Sequence, residues 1–256
     1  MKQPACQGRR QQGKGRTAFS LIGTPLVVLA AIACSEGMQT TPDDRWAIER
    51  ERMVDQQLRG RDIRSDAVLQ AMRRVPRHRF VPPEEQGGSY SDYPLPIGFG
   101  QTISQPYIVA FMTEALDVRP EHTVLEIGTG SGYQAAVLGE LAKDVYTIEI
   151  VEPLAERSRA LLQELGYRNV HVRAGNGYLG WPEAAPFDRI IVTAAPDAMP
   201  PALVEQLKMD GVIAVPVGVG EQMLQVMRRT PDGLSMIKTL PVRFVPMTGK
   251  PGRGVR

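Results

Sequence analysis

Apolar and polar positions change their spacing along the chain, and each change predicts a different kind of structure. Between Thr40 and Gly60 the apolar residues Trp46, Met53, Val54 and Leu58 recur at roughly helical intervals, which predicts an amphipathic helix closing near Gly60. Ser65 or Asp66 offers a side-chain acceptor to the free amides of a second helix through Met72, and Pro76 ends it because its ring excludes a further turn. The stretch from Pro82 to Tyr107 is rich in Pro, Gly, Ser and Tyr. An ordered loop with only short regular pieces is expected there, the kind of segment that carries function on a rigid scaffold.

After Pro120 short β-branched runs appear at 123–127, 145–148, 170–173, 189–193 and 212–217, with helix-compatible stretches between the first few. Residues 134–141 and 153–165 read as helices, the second closing on Gly166, and 200–207 opens with prolines suited to a first helical turn. Strands alternating with helices predict an α/β fold, a mostly parallel central sheet with helices on both faces. Residues 223–227 and 239–245 are late strands without a clear helix between them, which adds an antiparallel hairpin at the sheet edge.

Composition narrows the function. Over 256 residues, 43% hydrophobic and 23% charged positions suit one globular catalytic domain with a short extension. The formal charge is +2, but Lys2, Arg9, Arg10, Lys14 and Arg16 precede any acid, leaving 25 basic residues against 28 acidic ones, a net of −3. A folded part without a basic excess is not the profile of a nucleic-acid binder. Both cysteines, Cys6 and Cys34, lie in the first 34 residues, so the domain has no internal disulfide and no thiol nucleophile. His78, His122 and His171 are far apart and lack ligand-like spacing, so no metal site is expected.

The run Val124-Leu125-Glu126-Ile127-Gly128-Thr129-Gly130-Ser131-Gly132-Tyr133 is a buried strand feeding a glycine-rich turn and then a helix, whose start would offer free amide donors. The third glycine of the dinucleotide fingerprint would fall at Tyr133, which disfavours a nicotinamide cofactor, and the turn lacks the Lys-Ser/Thr ending of a P-loop. Glu149 closes the next strand about twenty residues on, where a carboxylate can accept from both hydroxyls of a ribose. Alone, each feature has a plain reading, a tight connection and a solvated acid. Together they resemble the class I methyltransferases, a Rossmann-like family whose ligand is S-adenosylmethionine. That resemblance implies that Gly128, Thr129 and Gly130 line the methionine end, with Gly132 in the same cofactor loop and Glu149 on the ribose. It implies that Asn176, in the turn Ala174-Gly175-Asn176-Gly177, holds the adenine amine where the family more often has Asp.

The acceptor is legible elsewhere. The fourth strand ends Thr193-Ala194-Ala195-Pro196 rather than in the [Asp/Asn/Ser]-Pro-Pro-aromatic motif of DNA amino-methyltransferases, and the domain lacks the cysteine that cytosine C5 enzymes need. The segment Pro96-Ile97-Gly98-Phe99-Gly100-Gln101-Thr102-Ile103-Ser104-Gln105-Pro106-Tyr107 closely resembles the signature of the protein-L-isoaspartate O-methyltransferases. The likeness spans roughly Met53 to Thr248, taking in Arg77-His78-Arg79-Phe80-Val81 and the closing Phe244-Val245-Pro246-Met247-Thr248. It implies methylation of the free carboxylate of L-isoaspartyl and D-aspartyl residues in damaged proteins, with Ser104 as the active-site serine and neither nucleic acid nor metal as partner. Gln101, Thr102 and Ile103, with backbone near Ala194, Ala195 and Val245, would bind the acceptor and its peptide.

The chemistry is consistent with such a site. A carboxylate is already ionised near neutral pH, so in-line attack on a sulfonium methyl needs no strong base, and alignment with water exclusion suffices. Ser104, Thr102 and the Gln101 amide would orient the oxygen, and no acid-base pattern marks Ser104 as a nucleophile. Two other readings stay open: a small-molecule carboxyl or hydroxyl methyltransferase, and an anchored binding protein with a decayed cofactor site.

Residues 1–37 are set apart from a domain at 38–256. A basic opening, the apolar run 18–33 and Cys34 follow the order of an export signal, and Ala31-Ile32-Ala33-Cys34 resembles a loose lipobox. The run is short for a membrane span and Pro25 interrupts it. Translation from Met38 is the competing reading. Because the cofactor is made in the cytosol, a cytoplasmic enzyme is expected, with export or a lipid anchor at Cys34 as the alternative.

Overall fold

The computed structural model describes residues 42–249. They fall within one compact unit that begins at Thr40, and the expectations for the export signal, Cys34, Met38 and the 37/38 boundary lie outside the described residues.

The first helical pattern is α1 (Pro42–Arg52), which runs without a break into a wider π-helical turn at Met53–Arg59. Of the two candidate caps, Ser65 is the one used: its hydroxyl accepts the Val68 amide at 3.4 Å, and α2 (Asp66–Arg74) follows. Met53, Val54, Leu58, Leu69 and Met72 are buried together, so these helices form a layer over the rest of the domain.

Within the glycine- and proline-rich stretch lie a short 3₁₀ turn at Pro83–Gly88 and a separate two-stranded hairpin, β1 (Leu95–Gly98) and β2 (Gln101–Ile103). Helix α3 (Pro106–Ala115) comes next and was not foreseen in the sequence. Tyr107, Val109, Ala110, Met112 and Thr113 are all buried, so no polar stripe betrays a helical period.

The main sheet is built by β3 (Thr123–Ile127), β4 (Asp144–Glu149), β5 (Val170–Ala174), β6 (Phe187–Val192), β7 (Leu207–Val217), β8 (Gln222–Thr230) and β9 (Gly233–Val242). Helices α4 (Tyr133–Gly139), α5 (Glu152–Glu164) and α6 (Pro201–Glu205) follow β3, β4 and β6 respectively. The order is β5-β4-β3-β6-β7-β8-β9; the first five strands are parallel and the last two antiparallel, as the pattern implied. Alternate residues serve opposite faces: Val124, Val145, Ile191 and Val212 pack toward α3 and α4, while Leu125, Ile190, Val192 and Ile213 pack toward α6.

Several boundaries differ from expectation: β8, expected to end at 227, runs to Thr230, and β9, expected from 239, begins at Gly233. Helix α6 stops at Glu205 and β7 begins at Leu207, because Leu207 is fully buried as the partner of Phe187 and belongs to the sheet core. At the other end β9 stops at Val242, and residues 243–248 leave the edge strand and cross toward the end of β6. Strand order reverses between β3 and β6, which both start from the middle of the sheet. Open α/β sheets hold ligands in the crevice at the carboxyl ends of such strands.

Candidate active site

At that crevice β3 ends in the bend Gly128–Gly132. Gly128 and Gly130 adopt φ of +99° and +53°, and a β-carbon on Gly128 would run into the Thr193 hydroxyl, so glycine is required there by conformation and by space. Thr193 grips the bend from β6, its hydroxyl 2.7 Å from the Gly128 carbonyl oxygen. Three amides of the bend itself are engaged within the chain. Gly128 N donates to the Ile148 carbonyl at 2.8 Å, Gly130 N to Glu149 Oε2 at 2.7 Å, and Gly132 N to the Thr129 carbonyl at 2.8 Å. A bend with its donors committed and a carboxylate against it is a poor cradle for a pyrophosphate and a good one for a cation.

Glu149 is 6% exposed and also accepts the Val151 amide at 3.0 Å. Two amides leave lone pairs on both oxygens for hydroxyl donors. Beneath the bend, Glu126 and Thr147 are direct partners across β3 and β4. Thr147 donates to Glu126 Oε2 at 2.6 Å, so its oxygen receives the Thr129 proton, also at 2.6 Å, and a hydroxyl chain ties the bend to the sheet. Burial pushes the Glu126 carboxyl up to about 8; the Thr147 bond works against that rise and the Glu149 charge adds to it. That rise favours the protonated form of Glu126. Sequence reasoning missed this role for Glu126 although it stands in the motif; its signal was an acid inside an otherwise apolar strand.

The bend and Glu149 open on a cleft walled by both polar and apolar residues. Gln101, Thr102, Gly128, Gly130, Glu149, Ala194 and Val245 all line it, so the structure gathers these expected residues from five separate segments. Unforeseen walls come from Ile148, Ile150, Val151, Gly177 and Met247. Ile150 was visible as a large apolar residue beside the ribose acid, and it is 41% exposed.

Other expected residues take different places. Thr129 is 3% exposed and its hydroxyl faces Thr147, so it supports the bend from below. Gly132, at φ +89°, launches α4 and packs on Ser158 and Leu162 of α5. Asn176 stands at the cleft's edge, its carboxamide oxygen accepting the Tyr178 amide at 3.1 Å, while its neighbour Gly177 lines the wall. Ile103 is 4% exposed and belongs to the core, because β2 alternates and turns Thr102 outward. Ala195 is 3% exposed and both its backbone groups are engaged: its amide donates to the Val245 carbonyl at 2.8 Å and its carbonyl accepts the Met247 amide at 2.7 Å. That bridge holds residues 245–248 as a roof over the cleft.

Ser104 lies just outside, in a second, open groove with Gln105, Gln222, Arg243 and Phe244. The groove shares Thr102, Thr193, Val245 and Pro246 with the cleft, so the two spaces adjoin across those side chains. The Gln222 carboxamide fixes the groove's far wall, donating to the Phe244 carbonyl at 3.0 Å and accepting the Phe244 amide at 2.6 Å. Hairpin β1–β2 docks on the bend through Ile97, whose carbonyl accepts from Arg157 at 2.6 Å and whose side chain lies over Gly130. Among the described residues no group of three or more His, Cys, Asp or Glu is placed to hold a metal ion.

Residues 48–252 match the family model described as protein-L-isoaspartate(D-aspartate) O-methyltransferase. The protein-L-isoaspartate O-methyltransferase of Gloeobacter violaceus is 58% identical over 198 residues, 77% of this chain and 97% of that protein. The enzyme of the same name from Opitutus terrae is 53% identical over 235 residues, 91% of this chain and 98% of that protein. A solved protein-L-isoaspartate O-methyltransferase superposes with a TM-score of 0.73 at 29% identity, covering 79% of this chain and 67% of that one.

Proposed function

The chain belongs to the protein-L-isoaspartate(D-aspartate) O-methyltransferase family, and on that premise we propose how its residues divide the work of methyl transfer. The enzyme transfers a methyl group from S-adenosylmethionine to the free carboxylate of isoaspartyl residues in damaged proteins, the first step of repair. When bound, that cofactor supplies a methyl group on a positively charged sulfur.

The residues present fit such a group. Glu149, beside the bend, holds the ribose hydroxyls through lone pairs that the Gly130 and Val151 amides leave open. Gly128 and Gly130 carry no side chain to obstruct close approach, and the carboxylate balances positive charge. Ile150 and Gly177 give a flat apolar wall for the base, with Asn176 at its edge for the exocyclic amine. Thr129 and Gly132 act by holding the bend.

On the acceptor side, Ser104, Thr102 and the Gln101 amide hold the isoaspartyl carboxylate where the groove meets the cleft. Ser104 orients and does not attack; the nucleophile is the substrate's own carboxylate oxygen, already ionised at neutral pH. The roof at 245–248 excludes water, and Ala194 and Val245 flank the peptide, while Ala195 serves it indirectly by pinning the roof. Release of methanol from the product ester closes a succinimide, which reopens partly to normal aspartate. The groove's open form suits a polypeptide better than a small metabolite.

The observation that carries this reading is the adjacency of the two spaces, with Thr102, Thr193, Val245 and Pro246 common to both. Its test is mass spectrometry of a peptide pair differing only in an isoaspartyl or aspartyl linkage, incubated with enzyme and S-adenosylmethionine. The isoaspartyl peptide is expected to gain a methyl ester and then become succinimide, and the aspartyl peptide to stay unchanged; equal or absent methylation of both rejects the reading.

Among the described residues no helix is long and apolar enough to cross a membrane. Cofactor supply supports a cytoplasmic location. Mass spectrometry of the native N-terminus tests it: a start at Met38 agrees, and a lipidated Cys34 contradicts.

A further inference from the structure

We infer that Arg77 is a positioning residue for methyl transfer, holding the Ser104 loop in register with the bend that binds the cofactor; the inference rests on the role proposed above for Ser104. Arg77 is fully buried, yet it pairs with no carboxylate among the described residues. Its Nε donates to the Ser89 carbonyl at 2.7 Å and its Nη2 to the Ser104 carbonyl at 2.7 Å. The guanidinium also lies over the Tyr133 ring, 4.8 Å from its centre. Tyr133 is the first residue of α4, immediately after the glycine bend. One planar group thus touches both the acceptor loop and the element that carries the cofactor bend.

The topology explains why such a tie is needed. Hairpin β1–β2 forms no strand pairing with the seven-stranded sheet, so ladder hydrogen bonds do not fix its position over the bend. Side chains must do so. Arg157 holds the hairpin at Ile97, before its tip, and Arg77 holds it at Ser104, where the chain leaves β2. Burying an unpaired cation costs several kcal/mol, an arrangement that simple packing does not require. Burial lowers the Arg77 pKa to about 10, so it stays charged at neutral pH. A lysine would present one compact charge on a flexible stem, unable to reproduce a rigid fork that bridges two carbonyls.

The test is a double-mutant cycle on the full-length enzyme with Arg77→Lys, Ser104→Ala and the double variant. Turnover of an isoaspartyl peptide is measured at saturating cofactor, and calorimetry with S-adenosylhomocysteine counts sites. Arg77→Lys is expected to bind one equivalent with affinity within about twofold of wild type and to lose ~10- to 100-fold in kcat. In the double variant the Arg77 effect should shrink, because one of the groups that the loop presents is gone. Lowered melting temperature with unchanged kcat, or effects that multiply in the double variant, would overturn the inference while leaving the Ser104 role intact. Unchanged turnover in Ser104→Ala would overturn both. Should Arg77→Lys bind less than one equivalent, Arg77→Met, which keeps the stem and removes the buried charge, goes through the same cycle.

Discussion

The Glu149 carboxylate accepts the Gly130 amide at 2.7 Å, so the end of β4 and the middle of the glycine bend form a single unit. The residue expected to bind the cofactor also shapes the loop that receives it. Glu149→Ala should therefore weaken S-adenosylmethionine binding by more than the loss of one ribose contact, on the order of 100-fold, and Glu149→Gln, which keeps one acceptor oxygen, by about tenfold. Calorimetry reads both. Unchanged affinity in Glu149→Ala would place the ribose elsewhere.

Ser104 borders the groove and not the cofactor cleft, so Ser104→Ala should lower kcat ~10-fold or more and leave cofactor affinity unaltered. Steady-state kinetics with calorimetry separates the two effects. Loss of cofactor binding would show that Ser104 belongs to the cleft.

Glu126 gives the fold a pH dependence of known sign. Its carboxyl titrates near 4.5 when free and near 8 when buried, so between these values the folded chain keeps a proton that the unfolded chain releases. The stability this proton brings is complete below about pH 4.5 and lost as pH rises through about 8. Glu126→Gln mimics the protonated form. Its melting temperature relative to wild type should rise between about pH 5 and pH 8, by the equivalent of a few kcal/mol, and level off above that. Parallel pH curves for the two proteins would mean that Glu126 is ionised in the fold.

Two glycines with positive φ should respond differently to alanine. At Gly128 a β-carbon collides with the Thr193 hydroxyl that grips the bend, whereas at Gly98 it meets open space. Gly98→Ala should cost only its backbone strain, ~1 kcal/mol, while Gly128→Ala should cost more and also abolish cofactor binding. Thermal melting and calorimetry on both variants check this, and equal losses would contradict it.

Much of this was legible because the chemistry is local. The strand, bend and acid from Val124 to Glu149 sit within one β-α-β unit, and the alternation of the central strands gives their faces away. Helix α3 was hidden because even its half-exposed face carries Ile108 and Phe111, so no polar stripe marks its period. Ala195 and Ile103 carry no mark in the sequence of which way they face. That depends on the roof returning to Ala195 and on the pleat of a three-residue strand. Arg77, one arginine among many near the start of the domain, becomes distinctive only through the distant carbonyls it reaches.

The most direct measurement is a crystal structure with S-adenosylhomocysteine and an isoaspartyl peptide bound together. The sulfur is expected between the Gly128–Gly130 bend and the groove, with the isoaspartyl carboxylate held at Ser104 and pointing toward it. A sulfur lodged away from that bend, or a carboxylate bound far from Ser104, would contradict the assignment of donor cleft and acceptor groove.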